Sequence, residues 1–378
     1  MPRLLVIGGM AAGMSAASKL RRLRPEWEAT VLEAGEDLSF GACGLPYWIG
    51  GAVPNGEDLY ALDVGEIARR GIEVRLRQRA LGLREGRKRV LVEDLASGRR
   101  YEEGYDALLI ATGTRAALPD LRGLEGDNLF TLHDLGDGRR LATFVRDRRP
   151  RSALIWGAGY LGLEMAENLS GRGVAVTMIN RSERVMRTLV PPIRDRVVRE
   201  LEDHGVRVFL ATQVLEAVSG GSELTALRTD RGDMAADLFV VATGVAPATG
   251  FLQGSPVPMA ANGAIRVDET CATGVHGIWA AGDCCEVRHL VTGRPAYLPL
   301  GTTANKMGRV AGSNIAGGRE RFPGVVGTAI TRAFGLEVTI DLCRTLLDRG
   351  APGLHFYTMN QAGPTLAIWR ALGLNTGA

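Results

Sequence analysis

Short apolar runs that stop at glycine recur along this chain, and two of them open the same larger pattern. Residues 4–7 read as a buried strand, the turn after them carries Gly8, Gly9 and Gly13, and the apolar spacing predicts a helix over residues 11–23. A second apolar run over 29–32 ends at Glu33. The pattern returns 149 residues later, with SALIW (152–156), the glycines Gly157, Gly159 and Gly162, a predicted helix over 161–173 and a second strand over 174–179. Two more strand-like runs, ALLIATGT (107–114) and LFVVATGV (238–245), each end in Ala-Thr-Gly, and GIWAAGD (277–283) stops at Gly282-Asp283.

A strand, a glycine turn and a helix form a βαβ unit with a chemical use. The glycines let a pyrophosphate approach the backbone at the positive end of the helix, where N–H groups point at it. The segment Gly8-Gly9-Met10-Ala11-Ala12-Gly13 fits, with Met10 in the middle glycine slot. Glu33 lies 20 residues past Gly13, where a Rossmann unit places the acid that accepts ribose hydroxyls. Gly157, Gly159 and Gly162 complete the GxGxxG register around Tyr160 and Leu161. One such turn is compatible with a purely structural role, whereas two in full βαβ context predict two nucleotide sites. The expected fold is α/β with two Rossmann-like dinucleotide-binding domains.

Composition narrows the class. At 378 residues the chain exceeds one ordinary core. Its formal charge is only +3, from 45 basic and 42 acidic residues, without a basic tail, so no nucleic-acid partner is expected. No signal peptide and no stretch near ~18 apolar residues is present, which predicts a cytoplasmic protein with no membrane partner. The five cysteines, Cys43, Cys271, Cys284, Cys285 and Cys343, form neither a CxxC pair nor a metal-spaced cluster with histidine, so no metal is expected.

The glycine turns, the twin Ala-Thr-Gly runs and the late Gly282-Asp283 together resemble the pyridine nucleotide-disulfide oxidoreductase superfamily over about residues 1–337. The resemblance implies FAD in a discontinuous first domain, 1–112 and 240–318, and NAD(P)H in a domain inserted within it, 113–239. FAD would be held by the first glycine turn, Glu33, Ala111, Thr112 and Gly113. Asp283, after Gly282, would bond the ribityl chain, while a helix starting near Thr303-Ala304 aims its positive end at the flavin. NAD(P)H would meet the second glycine turn and Gly244; Tyr160 resembles the family's aromatic gate, with Glu164 facing the same region. Where an acid would select the NAD ribose, the chain reads Asn180-Arg181-Ser182-Glu183-Arg184. The missing carboxylate and the two arginines predict NADPH, with NADH also accepted.

The segment SFGACGLPYWIGG (39–51) carries the redox candidate. Cys43 precedes a predicted helix start, where the dipole and N–H groups favour the reactive thiolate. Trp48 stands five positions on, where two-cysteine reductases of the superfamily carry their second cysteine, so an intramolecular disulfide is excluded there. The segment resembles coenzyme A disulfide reductases and related persulfide reductases. That resemblance implies a mixed disulfide between Cys43 and coenzyme A (CoA), Lys19 and Arg22 on its phosphates, and Ser39 and Phe40 along its arm. Ser15, Lys19 and Arg22 share one helix face; a solvated helix end is the alternative reading of the two cations. The rivals are single-cysteine NADH peroxidases and water-forming oxidases, whose first glycine turn supplies a histidine, whereas the turn here, Gly8-Gly9-Met10-Ala11-Ala12, has none.

Family members form homodimers through a C-terminal interface domain. Residues 319–378 read instead as a remnant of it plus an atypical tail, within which 342–374 resembles the end of methylenetetrahydrofolate reductases. The expectation is a truncated or replaced interface domain, with dimerisation and turnover in doubt. A catalytically impaired flavin-binding product is therefore a third reading.

Overall fold

In the computed structural model the described residues are 1–186 and 191–326, with the single positions 343, 344, 348, 370 and 372. Most of the 342–374 tail lies outside them. The chain divides into two units: Met1–Cys43, Asn55–Ala117 and Val245–Thr328 form one, and Gly44–Pro54, Leu118–Gly244 and Ala329–Ala378 the other.

The first unit is built on a five-stranded parallel sheet in the order Ile278–Ala280, Ala107–Ile110, Arg3–Ile7, Glu28–Leu32, Glu73–Arg75. The second unit has Leu129–Phe130, Leu238–Val241, Ser152–Trp156, Ala175–Ile179, Arg207–Phe209, again all parallel. Counted from the strand before each glycine turn, the two orders agree. Each unit adds a three-stranded antiparallel sheet between its third strand and its Ala-Thr-Gly strand. The outermost strands differ in origin. In the first unit it arrives late in the chain, after the second unit's five-stranded sheet is complete, and this makes the first unit discontinuous. Leu4, Leu5, Leu108, Leu109, Leu154 and Val240 are fully buried, which is why these strands read as unbroken apolar runs.

Backbone contact fixes both glycine turns. Gly8 and Gly157 adopt φ of 109° and 120°, and a Cβ there would lie 2.2 Å from the Ala111 oxygen and 2.3 Å from the Ala242 oxygen, respectively. Only glycine tolerates both demands.

The helix predicted over 11–23 is observed as Ala11–Leu23. The one predicted over 161–173 is Tyr160–Ser170 instead, because the chain leaves the helix through Gly171-Arg172-Gly173, with Gly173 at φ 80°. The late helix, expected near Thr303-Ala304, begins at Gly301 and runs to Ile315. The unit boundaries fall at 117/118 and 244/245, outside the expected 112/113 and 239/240. The cause is the antiparallel pairing of Thr114–Ala116 with Val245–Pro247, which ties both crossings to the first unit. Residues 319–326 also belong to the first unit.

Candidate functional site

The helix Ala11–Leu23 starts at Met10 with no side-chain cap and no acid in its first turn. Its leading N–H groups are left for an external acceptor. Beside them, Glu33 Oε2 accepts the Gly9 N–H at 2.6 Å and Oε1 accepts the Gly35 N–H at 2.7 Å, holding the carboxylate at the strand end. Ala111 packs on Gly8, and Gly113, past Thr112, has φ 63°. Asp283, after Gly282, accepts the Leu300 N–H at 3.0 Å. Leu300 precedes the helix Gly301–Ile315, a second uncapped, acid-free N-terminus, with Thr303 and Ala304 buried in its first turn. Tyr297 Oη is buried without a hydrogen-bond partner among the described residues; burial, then the Asp283 charge, push its pKa up. Two open helix N-termini, an acid at a strand end and an orphaned buried hydroxyl suit a long dinucleotide with a polyol section, and so fit FAD.

The second unit repeats the cradle. The helix Tyr160–Ser170 begins at Gly159 with no cap and no acid in its first turn, and a Cβ on Gly159 would meet nothing within 4 Å. That open space is where a pyrophosphate would approach. Tyr160 is 37% exposed, and Leu161 follows it in the first turn. Glu164 lies one turn along, where burial, then the Glu167 charge, push its carboxyl up to about 7. At the end of the second strand, Asn180 Oδ1 accepts the Ala158 N–H at 3.3 Å, and Nδ2 donates to the Ser182 and Arg184 carbonyls at 3.1 and 3.0 Å. The amide closes the turn and leaves Arg181 and Arg184 exposed. Gly244 has φ 125°.

Cys43 is exposed, in the 3-10 turn Ala42–Gly44. The helix that follows, Leu45–Gly50, has only six residues, so it supplies less dipole than the sequence suggested. Trp48, in the slot of a second cysteine, packs on Gly138, where a Cβ would lie 2.8 Å from its ring. Among the other thiols, burial pushes Cys271 up to about 12 and Cys285 well above the usual thiol range. The Sγ atoms of Cys284 and Cys285 stand 3.8 Å apart, and both residues belong to the core.

The CoA candidates are placed unequally. Ser39 adopts φ 47° and donates its N–H to the Gly9 oxygen at 3.2 Å; Phe40 bridges to Tyr60. Ser15 hydroxyl donates to Asn305 at 2.7 Å, Arg22 is exposed, and Lys19 is paired with Glu320 at 3.2 Å. Sequence reasoning missed Glu320, Tyr297 and Gly138. Each meets its partner far along the chain, except Tyr297 beside Asp283, where a tyrosine shortly after the Gly-Asp turn was a usable signal. Among the described residues, no cluster suited to a metal is found, and no helix is long and apolar enough to cross a membrane.

This chain belongs to the pyridine nucleotide-disulphide oxidoreductase family, whose sequence profile matches residues 2–308. Membership places it among the flavin- and nicotinamide-dependent oxidoreductases. The profile of methylenetetrahydrofolate reductase matches residues 327–373. The chain is 37% identical over 337 residues to the NAD(P)H sulfur oxidoreductase (CoA-dependent) of Pyrococcus furiosus, covering 89% of this chain and 75% of that protein. Reduced Bacillus anthracis CoADR-RHD superposes with TM-score 0.84 at 30% identity, covering 88% of this chain and 60% of that one. This chain thus spans less than two thirds of the Bacillus protein's length. A water-forming NADPH oxidase engineered from the Lactobacillus brevis NADH oxidase, solved with NADPH bound, gives TM-score 0.83 at 30% identity, covering 86% of this chain and 72% of that one. In that enzyme a consecutive Asp-Ala-Met became Ala-Arg-Ser, and a proline five residues after the serine became arginine.

Proposed function

We propose that this chain is an FAD-dependent NAD(P)H oxidoreductase that reduces coenzyme A disulfide, CoA persulfide or a related small disulfide through Cys43. The observation that carries this reading is an exposed thiol in its turn with Trp48 in place of a resolving cysteine, which leaves Cys43 open to an external sulfur. FAD, when bound, supplies two-electron exchange between the nicotinamide and sulfur. The first glycine turn and Glu33 hold its adenylate half, while Asp283 and the helix Gly301–Ile315 orient the other end. That helix N-terminus favours negative charge on whatever it faces. The Cys43 thiolate attacks a disulfide sulfur, one thiol leaves, and the resulting mixed disulfide is cleaved by the electron pair that entered as hydride.

NADPH is the proposed donor. Arg181-Ser182 repeats the Arg-Ser introduced in the engineered NADPH oxidase, and five residues on stands Arg187, which lies outside the described residues. Asn180 in place of an acid removes repulsion from a 2′-phosphate. A cytoplasmic setting is part of the same reading.

The test is anaerobic nucleotide oxidation by FAD-loaded protein, with and without CoA disulfide. The expected result is disulfide-dependent oxidation with a lower KM for NADPH than for NADH, abolished in Cys43→Ser while flavin reduction persists. Unchanged thiol release by Cys43→Ser would sink the proposal. A second reading, an oxidase acting through a Cys43 sulfenate, is favoured by 29% identity over 374 residues to a protein named NADH oxidase in Methanocaldococcus jannaschii. Nucleotide oxidation that needs only oxygen would select it.

A further inference from the structure

The helices Ala11–Leu23 and Gly301–Ile315 meet backbone to backbone. A Cβ on Gly308 would lie 2.2 Å from the Ala12 oxygen, and one on Gly312 2.4 Å from the Ala16 oxygen. This crossing carries Lys19, one turn past Ala16, to the end of the later helix. There Lys19 Nζ lies 3.2 Å from Glu320 Oε1.

Glu320 is fixed from every side that matters. Its N–H donates to Asn314 Oδ1 at 2.8 Å, its carbonyl accepts from Asn314 Nδ2 at 2.8 Å, and its Oε1 accepts the Ser313 hydroxyl at 2.8 Å. The Ser313 bond, then Lys19, hold the carboxyl below its usual range, so it is charged at neutral pH. A surface acid held this way loses little entropy in meeting Lys19.

We propose that Glu320 is an internal counter-ion for Lys19, displaced when a phosphate of CoA arrives, and that it thereby weakens and tunes the affinity for phosphorylated disulfides. The proposal rests on the CoA reading of Lys19 and Arg22. Lysine binds phosphate as a point charge, so a competing carboxylate on the same ammonium subtracts directly from phosphate binding. The exposed Arg22 keeps its charge available for the encounter, while Glu320 stops the pair from retaining the CoA product.

Titration calorimetry of CoA and of pantetheine, which lacks phosphates at this end, into reduced FAD-loaded full-length chain tests this. Glu320→Gln should bind CoA about two- to five-fold tighter, the range for partly exposed ion pairs, with pantetheine unchanged. Adding Lys19→Met should erase the difference, and Glu320→Asp, which keeps the charge but shortens its reach, should fall between wild type and Glu320→Gln. A wild type that prefers CoA to pantetheine, but whose Glu320 variants bind CoA equally well, overturns the counter-ion. A wild type with no preference removes the CoA reading itself, and the proposal with it.

Discussion

Glu164 shows what it costs to bury an acid one turn past the second glycine turn. Its carboxyl is raised to about 7 from 4.5 by burial, then by the Glu167 charge. Between those values the unfolded chain loses its proton while the folded chain keeps it. Stability therefore falls as pH rises through that window and stays low above it, by at most about 3 kcal/mol. Glu164→Gln should raise the thermal midpoint over wild type at pH 8, with the gain shrinking toward pH 4.5. A gain of equal size at both pH values would count against the buried carboxylate. Asn180 shows another economy at this scale: one amide closes the turn by three hydrogen bonds and also removes the charge that would repel a 2′-phosphate.

At the scale of elements, the turns were legible because their cause is local. Gly8 and Gly157 need positive φ and meet a carbonyl at one fixed offset, so spacing alone announces them. The helix Gly301–Ile315 was legible by existence but not by start, since Asp283, 17 residues before Leu300, holds the N–H of that residue just ahead of the helix. The Gly308 and Gly312 stripe escaped notice because the opposing carbonyls of Ala12 and Ala16 lie almost 300 residues away. The Lys19–Glu320 pair was hidden for the same reason. The stripe yields a sharp expectation. Gly308→Val must push the helices apart, at a cost of about 1–3 kcal/mol, and should weaken FAD retention more than nucleotide binding by the second unit. Flavin content after gel filtration measures this; full retention would show that the crossing has slack.

For the whole molecule, the repeat of strand order and glycine contacts in two units makes a mapping experiment decisive. FAD should slow amide exchange in Arg3–Ile7 and Ala107–Ile110, and NADPH in Ser152–Trp156 and Leu238–Val241, since each ligand stabilises only the state it binds. Protection by FAD confined to the second pair of strands would reverse the assignment of the halves. Chain order made the discontinuous topology readable, because the Gly-Asp strand comes after the second repeat. The unit boundaries were less readable, because the ribbon of Thr114–Ala116 with Val245–Pro247 has no strong apolar signal of its own.

One of five thiols is exposed and four are buried, which makes the folded chain a single-address substrate for alkylating probes. A maleimide dye should attach once, at Cys43, and report on that turn alone; incorporation rising toward five per chain would then serve as a count of unfolded molecules, obtained from one mass spectrum.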